Sequence, residues 1–195
     1  MATEPSANTI PTFETERLIL RQVSLADIPS YEKHFNDYEV VRNLFAVIPW
    51  PPQEGNGIRE FLHDVIFPQL GKTRWMWGIF EKSNPDELIG VVDIWKNKDT
   101  GHGNRGFWLG RAHWRKGYMT EAVMCVMDYA FNELEFKSFL LNNAKGNIAS
   151  RKIKENIGAR YLGTEPTKFI DPAFTEKEKW ELTKEIWQKY RQNGK

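Results

Sequence analysis

The 195-residue chain is 41% hydrophobic and 27% charged, with 27 Lys and Arg against 26 Asp and Glu and a formal charge of +1. This is the composition of a folded globular protein, and the absence of a basic excess argues against a nucleic-acid partner. The single cysteine, Cys125, excludes an intramolecular disulfide and any multi-cysteine metal site, and no apolar run reaches the roughly 20 residues of a membrane span.

In chain order, residues 1–12 read as a flexible N-terminal tail, followed by one domain over 13–192. The first eight residues are polar and lack the apolar stretch of a signal peptide, so a cytoplasmic protein is the expectation. Leu18, Leu20 and Val23 alternate with Arg17, Ile19 and Arg21, which predicts a first strand. Ser24 and Asp27 make a helix start, with Ile28, Tyr31 and Phe35 at helical spacing behind them. Residues 45–57 hold three prolines and two glycines and predict an irregular loop. Ile58, Phe61, Leu62, Val65 and Ile66 fit a helical template, ended by Pro68 and Gly71. Strands follow over 75–80, 88–95 and 107–109, with a turn at 83–86, and read as an antiparallel meander. Then come a long helix through Ala122, Val126 and Ala130, a strand at Phe139 and Leu141, a helix over 147–156, a strand at Trp180 and Leu182, and a closing helix through Ile186 and Tyr190. The order predicts an α+β fold with a mixed, mostly antiparallel sheet flanked by helices.

Gly101-His102-Gly103-Asn104-Arg105-Gly106 matches the dinucleotide pattern G-x-G-x-x-G in letters only. It has no apolar strand before it and no helix after it, and reads as a hairpin loop. Trp114-Arg115-Lys116-Gly117-Tyr118-Met119-Thr120-Glu121-Ala122 lies where a strand gives way to a long amphipathic helix. Such a junction presents unpaired N–H groups at the positive end of a helix dipole, and Gly117 permits positive φ and close backbone approach. With Arg115 and Lys116 beside it, the segment suits a pyrophosphate, or else an ordinary solvated helix start. In 147–159, Asn147 is an N-cap, Ile153 and Ile157 face the core, and Gly158 stops the helix; Ser150 sits in the first turn as a possible proton donor, with Arg151 and Lys152 available to phosphate.

Together these segments resemble the GNAT superfamily of acyl-CoA-dependent N-acetyltransferases. They are most similar to the branch that contains ribosomal-protein N-terminal acetyltransferases. The resemblance is carried by Thr15-Glu16-Arg17-Leu18-Ile19-Leu20-Arg21 with Asp27, by Phe107-Trp108-Leu109 before Trp114-x-x-Gly117-Tyr118-Met119-Thr120-Glu121-Ala122, and by Asn147-x-x-Ser150-Arg151 through Gly158-Ala159. It departs from the general pattern at Trp114 and Met119, where Gln or Arg and a Gly or Ala stand. The resemblance implies a single GNAT-type domain whose sheet splays at the acyl-CoA site. It implies acetyl-CoA as cosubstrate, held by backbone amides of Arg115, Lys116, Gly117, Tyr118, Met119 and Thr120. The strand at Trp108, Leu109 and Gly110 would pair with the pantetheine arm, and Asn147 and Ser150 would lie beside it. Ser150 would protonate the departing thiolate.

The strand Glu that many members use as base is missing from residues 104–109. Asp93, within the apolar strand 90–95, is the nearest carboxylate and the candidate base or substrate contact. Phe45, Trp50, Trp77 and Trp95 are candidate walls of the acceptor side, against the alternative that half or more of the aromatics fill the core. The acceptor implied is a primary amine, most of all a protein or peptide N-terminus. A small amine (polyamine, amino acid or aminoglycoside) and a non-catalytic acyl-CoA sensor are the rivals, and a homodimer is compatible with the resemblance. His34, His63, His102 and His113 show no metal-ligand spacing and are expected on the surface or in loops.

Overall fold

The computed structural model describes residues 10–46, 50–51 and 57–193. The strands are β1 (Phe13–Glu14), β2 (Leu18–Gln22), β3 (Arg74–Glu81), β4 (Asn84–Lys96), β5 (Gly103–Leu109), β6 (Ser138–Ala144), β7 (Arg160–Pro166) and β8 (Glu176–Thr183). They form one sheet in the order β1-β2-β3-β4-β5-β6-β8-β7. Every neighbouring pair is antiparallel except β5 and β6, which are parallel and meet at one register pair, Gly103 with Phe139. The sheet therefore parts beyond residue 103, as the resemblance implied.

Helices cover both faces. On one face lie α1 (Ile28–Phe35), α2 (Tyr38–Val41) and α3 (Ile58–Glu60), packed with Val23, Met76, Phe80, Val91 and Trp108. On the other lie α4 (Tyr118–Asn132), α5 (Ile148–Asn156) and α6 (Lys184–Gln192), packed on Leu20, Val92, Ile94, Phe139, Leu141 and Trp180. Strand alternation sends successive side chains to these two cores.

The helix predicted over 58–66 continues from α3 as a wider π turn at Phe61–Ile66. That spacing buries Ile58, Leu62 and Ile66 and leaves Val65 45% exposed, so the predicted apolar stripe is only partly used. The tail boundary also needs correction. Ile10 is buried in the first core, and the Pro11 carbonyl accepts a hydrogen bond from Trp77 Nε1 at 2.8 Å, so residues 10–12 are packed. The turn predicted at 83–86 tightens to Lys82-Ser83, because Asn84 already pairs with Glu81 and the ladder shifts register around Phe80. Among the described residues, no helix is long and apolar enough to cross a membrane.

Candidate active site

The loop ahead of α4 is shaped by two left-handed residues, Arg115 at φ 63° and Gly117 at φ 82°. Only Gly117 was legible as such. Between them they turn the backbone so that the N–H groups of Arg115, Lys116, Gly117, Tyr118, Met119 and Thr120 have no acceptor among the described residues. The first intrahelical bond runs from Glu121 N–H to the Gly117 carbonyl at 3.1 Å. Six consecutive donors at the positive end of a 15-residue helix make an anion cradle. Met119 contributes only its backbone, since its side chain is in the first core.

The cradle is braced by residues that sequence reasoning quoted without assigning a job. Glu121 accepts from Thr15 Oγ1 at 2.5 Å and from the Arg17 N–H at 3.0 Å, and pairs with the Arg17 guanidinium at 2.7 Å. Arg17 also donates to the Lys116 carbonyl at 2.8 Å and lies over the Tyr118 ring at 4.7 Å. The turn between β1 and β2 thus fixes the loop from 99 residues away in sequence.

Upstream, one edge of β5 is fully laddered to β4 while its other edge is unpaired past Gly103. Trp108 lends nothing to this edge, since its carbonyl faces β4, 2.6 Å from where a Gly90 Cβ would stand. Its ring is wedged against Tyr31 and Phe35 at 4.8 and 5.3 Å in the second core. The Leu109 carbonyl is taken by Trp114 Nε1 at 2.6 Å, so the free edge ends one residue earlier than the sequence suggested. Gly110 is required where it stands, because a Cβ there would meet the His34 ring at 2.5 Å. His34 and His113 pack edge to face at 5.5 Å and are mostly buried, which corrects their surface assignment. Burial lowers the His34 pKa, with Glu87 at 3.0 Å opposing that shift.

Across the parting of the sheet, Asn147 caps α5 by accepting from the Ser150 N–H at 3.2 Å. Ser150 is buried, and its Oγ accepts from Lys154 Nζ at 2.8 Å. The hydroxyl hydrogen is therefore free to point elsewhere. Lys154 also donates to the Ser150 carbonyl at 3.2 Å. Burial, with Arg105 nearby, pushes its pKa well down, against the pull of Glu178. Arg151 is not available to phosphate as expected, because Glu155 and Glu178 hold it at 2.7 and 3.1 Å.

Asp93 is buried as expected, and burial raises its pKa. It is not a free carboxylate: Arg74 Nε donates to both oxygens at 3.0 and 2.9 Å, and Nη2 adds a further short contact. Both carboxylate oxygens are thus engaged in a buried ion pair. Arg74 lies under the half-buried Trp95 ring at 4.9 Å, and Trp95 also covers Gly106. Trp77 is corrected outright. It is fully buried between Phe13 and Tyr129 on the α4 face and walls nothing. Half-buried Trp50 packs against the second core, and Phe45 stacks on Phe169 at 5.1 Å. Ile48, the other large apolar residue of that loop, lies outside the described residues.

A family model described as "Acetyltransferase (GNAT) domain" matches residues 17–160. A Bacillus licheniformis protein named "Uncharacterized N-acetyltransferase p20" is 27% identical over 153 residues, covering 78% of this chain and 84% of its own. Two solved structures share the fold at 16% identity. A Vibrio cholerae spermidine N-acetyltransferase in complex with CoA and spermine has a TM-score of 0.74 over 89% of this chain and 99% of its own. A Salmonella typhimurium acetyl transferase that modifies the N-terminal serine of a 50S ribosomal subunit protein has a TM-score of 0.71 over 87% and 96%. The chain belongs to the GNAT acetyltransferase family.

Proposed function

We propose that the protein transfers the acyl group of an acyl-CoA, acetyl-CoA in the simplest case, directly to the primary amine of a peptide or protein N-terminus. The six N–H groups at 115–120, without an acceptor among the described residues, carry this reading, because they fit a pyrophosphate. The bound thioester supplies an activated acyl group. The free edge of β5 orients the pantetheine arm by strand addition. The amine nitrogen bonds the acyl carbon, the carbon–sulfur bond breaks, the amine gives up one proton and the sulfur takes one. Ser150 Oγ–H delivers that proton, and Lys154 behind it restores the hydroxyl.

The acceptor side supports an N-terminus over a polyamine. Among the described residues, the buried carboxylates Asp27, Asp93 and Asp171 are each held by an arginine (Arg21, Arg74 and Arg42), which leaves none of these three as a buried counter-charge for a polycation. A thiol-release screen with acetyl-CoA tests the reading: peptides with free N-termini should turn over and spermine should not. Turnover of small amines alone overturns the acceptor, and CoA binding with no turnover on any amine overturns catalysis.

Gly117→Val should weaken CoA binding at least tenfold, about 1.4 kcal/mol. The residue sits at φ 82°, where a β-branched side chain is strained, and its Cβ would come within 3.3 Å of Arg17 Nη2 in the brace. Calorimetric titration with CoA checks this, and unchanged affinity in the folded variant refutes the cradle.

A further inference from the structure

Strand alternation places Arg105 on the same face as Phe107 and Leu109, opposite Ile94 in the ladder and at the margin of the first core. An apolar side chain is what this position asks for. Instead Arg105 is 93% buried (7% exposed), and Nε, Nη1 and Nη2 are all without a hydrogen-bond partner among the described residues. Lys154, 1% exposed, stands on the α5 side of the same place. The two basic groups flank one ring: the Arg105 guanidinium is 5.4 Å and Lys154 Nζ 5.9 Å from the centre of Phe107.

Arg105 has no counter-ion among the described residues, and Lys154 has only the pull of Glu178. The buried carboxylate on this face, Glu178, accepts from Asn143 Nδ2 at 2.8 Å and from Arg151 Nη1 at 3.1 Å, so both of its oxygens are already engaged. Burial alone drives the Arg105 pKa down to about 9, which still leaves it charged at neutral pH. A buried guanidinium with no acceptor is among the costliest groups a core can hold, and the cost falls when an anion with two acceptor oxygens meets its fork.

The position of the pair tells which anion. Arg105 is two residues past Gly103–Phe139, where β5 and β6 part, and so stands beside the inner end of the slit between them, on its α5 side. Lys154 is bonded to Ser150 Oγ, the group proposed above to serve the sulfur. An anion here is thus joined to the acyl end of the donor, not to its nucleotide end. We propose that Arg105 and Lys154 receive the terminal carboxylate of a short dicarboxylic acyl group, so that the preferred donor is a succinyl-type CoA thioester rather than acetyl-CoA.

This rests on the acyl-CoA reading given above and alters only the group transferred. The amine nitrogen still bonds the thioester carbon, the carbon–sulfur bond breaks, one proton leaves the amine and one reaches the sulfur. The distal carboxylate is unchanged throughout and remains an anion in the product.

Calorimetric titration of the whole protein with CoA, acetyl-CoA, butyryl-CoA and succinyl-CoA tests the proposal. Butyryl-CoA matches the length of succinyl-CoA and lacks its charge. Succinyl-CoA should bind at least tenfold more tightly than butyryl-CoA. Arg105→Met should bring that ratio close to one while CoA affinity stays within twofold, and Arg105→Lys should retain part of the ratio. Equal affinity for the two thioesters in the wild-type protein overturns the proposal without any variant. A preference that survives Arg105→Met overturns the assignment to this pair. If CoA binds and only the preference is missing, the acyl-CoA reading stands and this inference alone falls. If none of the four binds, both fall.

Discussion

Asp93→Asn lowers the free energy of unfolding by about 3–5 kcal/mol, the cost of leaving one member of a buried ion pair without its partner. Asn keeps the volume but removes the charge that three contacts from Arg74 are built around. Arg74 cannot escape to water, because Trp95 lies across it and its side chain is only 18% exposed. The double variant Arg74→Met with Asp93→Leu should recover most of the loss, since paired apolar residues of similar volume often match a buried ion pair. Urea denaturation of the two variants checks both statements. The competing role for Asp93 is general base. That role requires Asp93→Asn to fold normally and lose the acidic limb of the pH–rate profile, and observing that would displace the structural assignment.

Ser150→Ala lowers kcat on the order of 10²-fold and leaves acetyl-CoA affinity nearly unchanged. The argument is one of direction. Ser150 Oγ already accepts from Lys154, so its own hydrogen is available to the slit, and the backbone N–H of Ser150 is fixed by Asn147. A hydroxyl held at both ends of its residue is a proton donor of defined aim. Ser150→Thr keeps the hydroxyl and should restore most of the rate. Stopped-flow thiol release, run beside calorimetry, separates the proton-transfer role from a binding role. A rise in acetyl-CoA Kd equal to the loss in kcat/KM, with kcat intact, refutes it.

What the sequence disclosed follows from how local each signal is. Gly117 announces itself, because a glycine between a strand and an amphipathic helix has few other uses, and it takes φ 82°. The N-cap at Asn147 and the stop at Gly158 are equally local, and both form. The Arg74–Asp93 pair leaves no local signal, because the two stand 19 residues apart on different strands. The brace from Arg17 to Glu121 spans 104 residues and leaves no periodic trace. β7 escaped notice because neither of its faces is buried, so it has no alternation to detect. Trp77 was misplaced for the opposite reason: an alternating strand gives two faces but not which core each one meets. Lys154 reads as a solvated cation one residue after the core position Ile153, and only the packing of α5 shows it buried.

The parting of the sheet at Gly103–Phe139 has a mechanical consequence. The eight strands behave as two panels, β1–β5 and β6–β8, riveted by one rung and otherwise clamped by α4, whose Phe131 meets Phe139 edge to face at 5.4 Å. The width of the gap is then governed by the bulk of the side chains under the clamp, not by ladder spacing. Gap width is a soft coordinate in such a construction, adjustable by one methylene at a time while every hydrogen-bonded rung stays intact. A lineage carrying this architecture can change the size of the acyl group it admits without rebuilding its sheet.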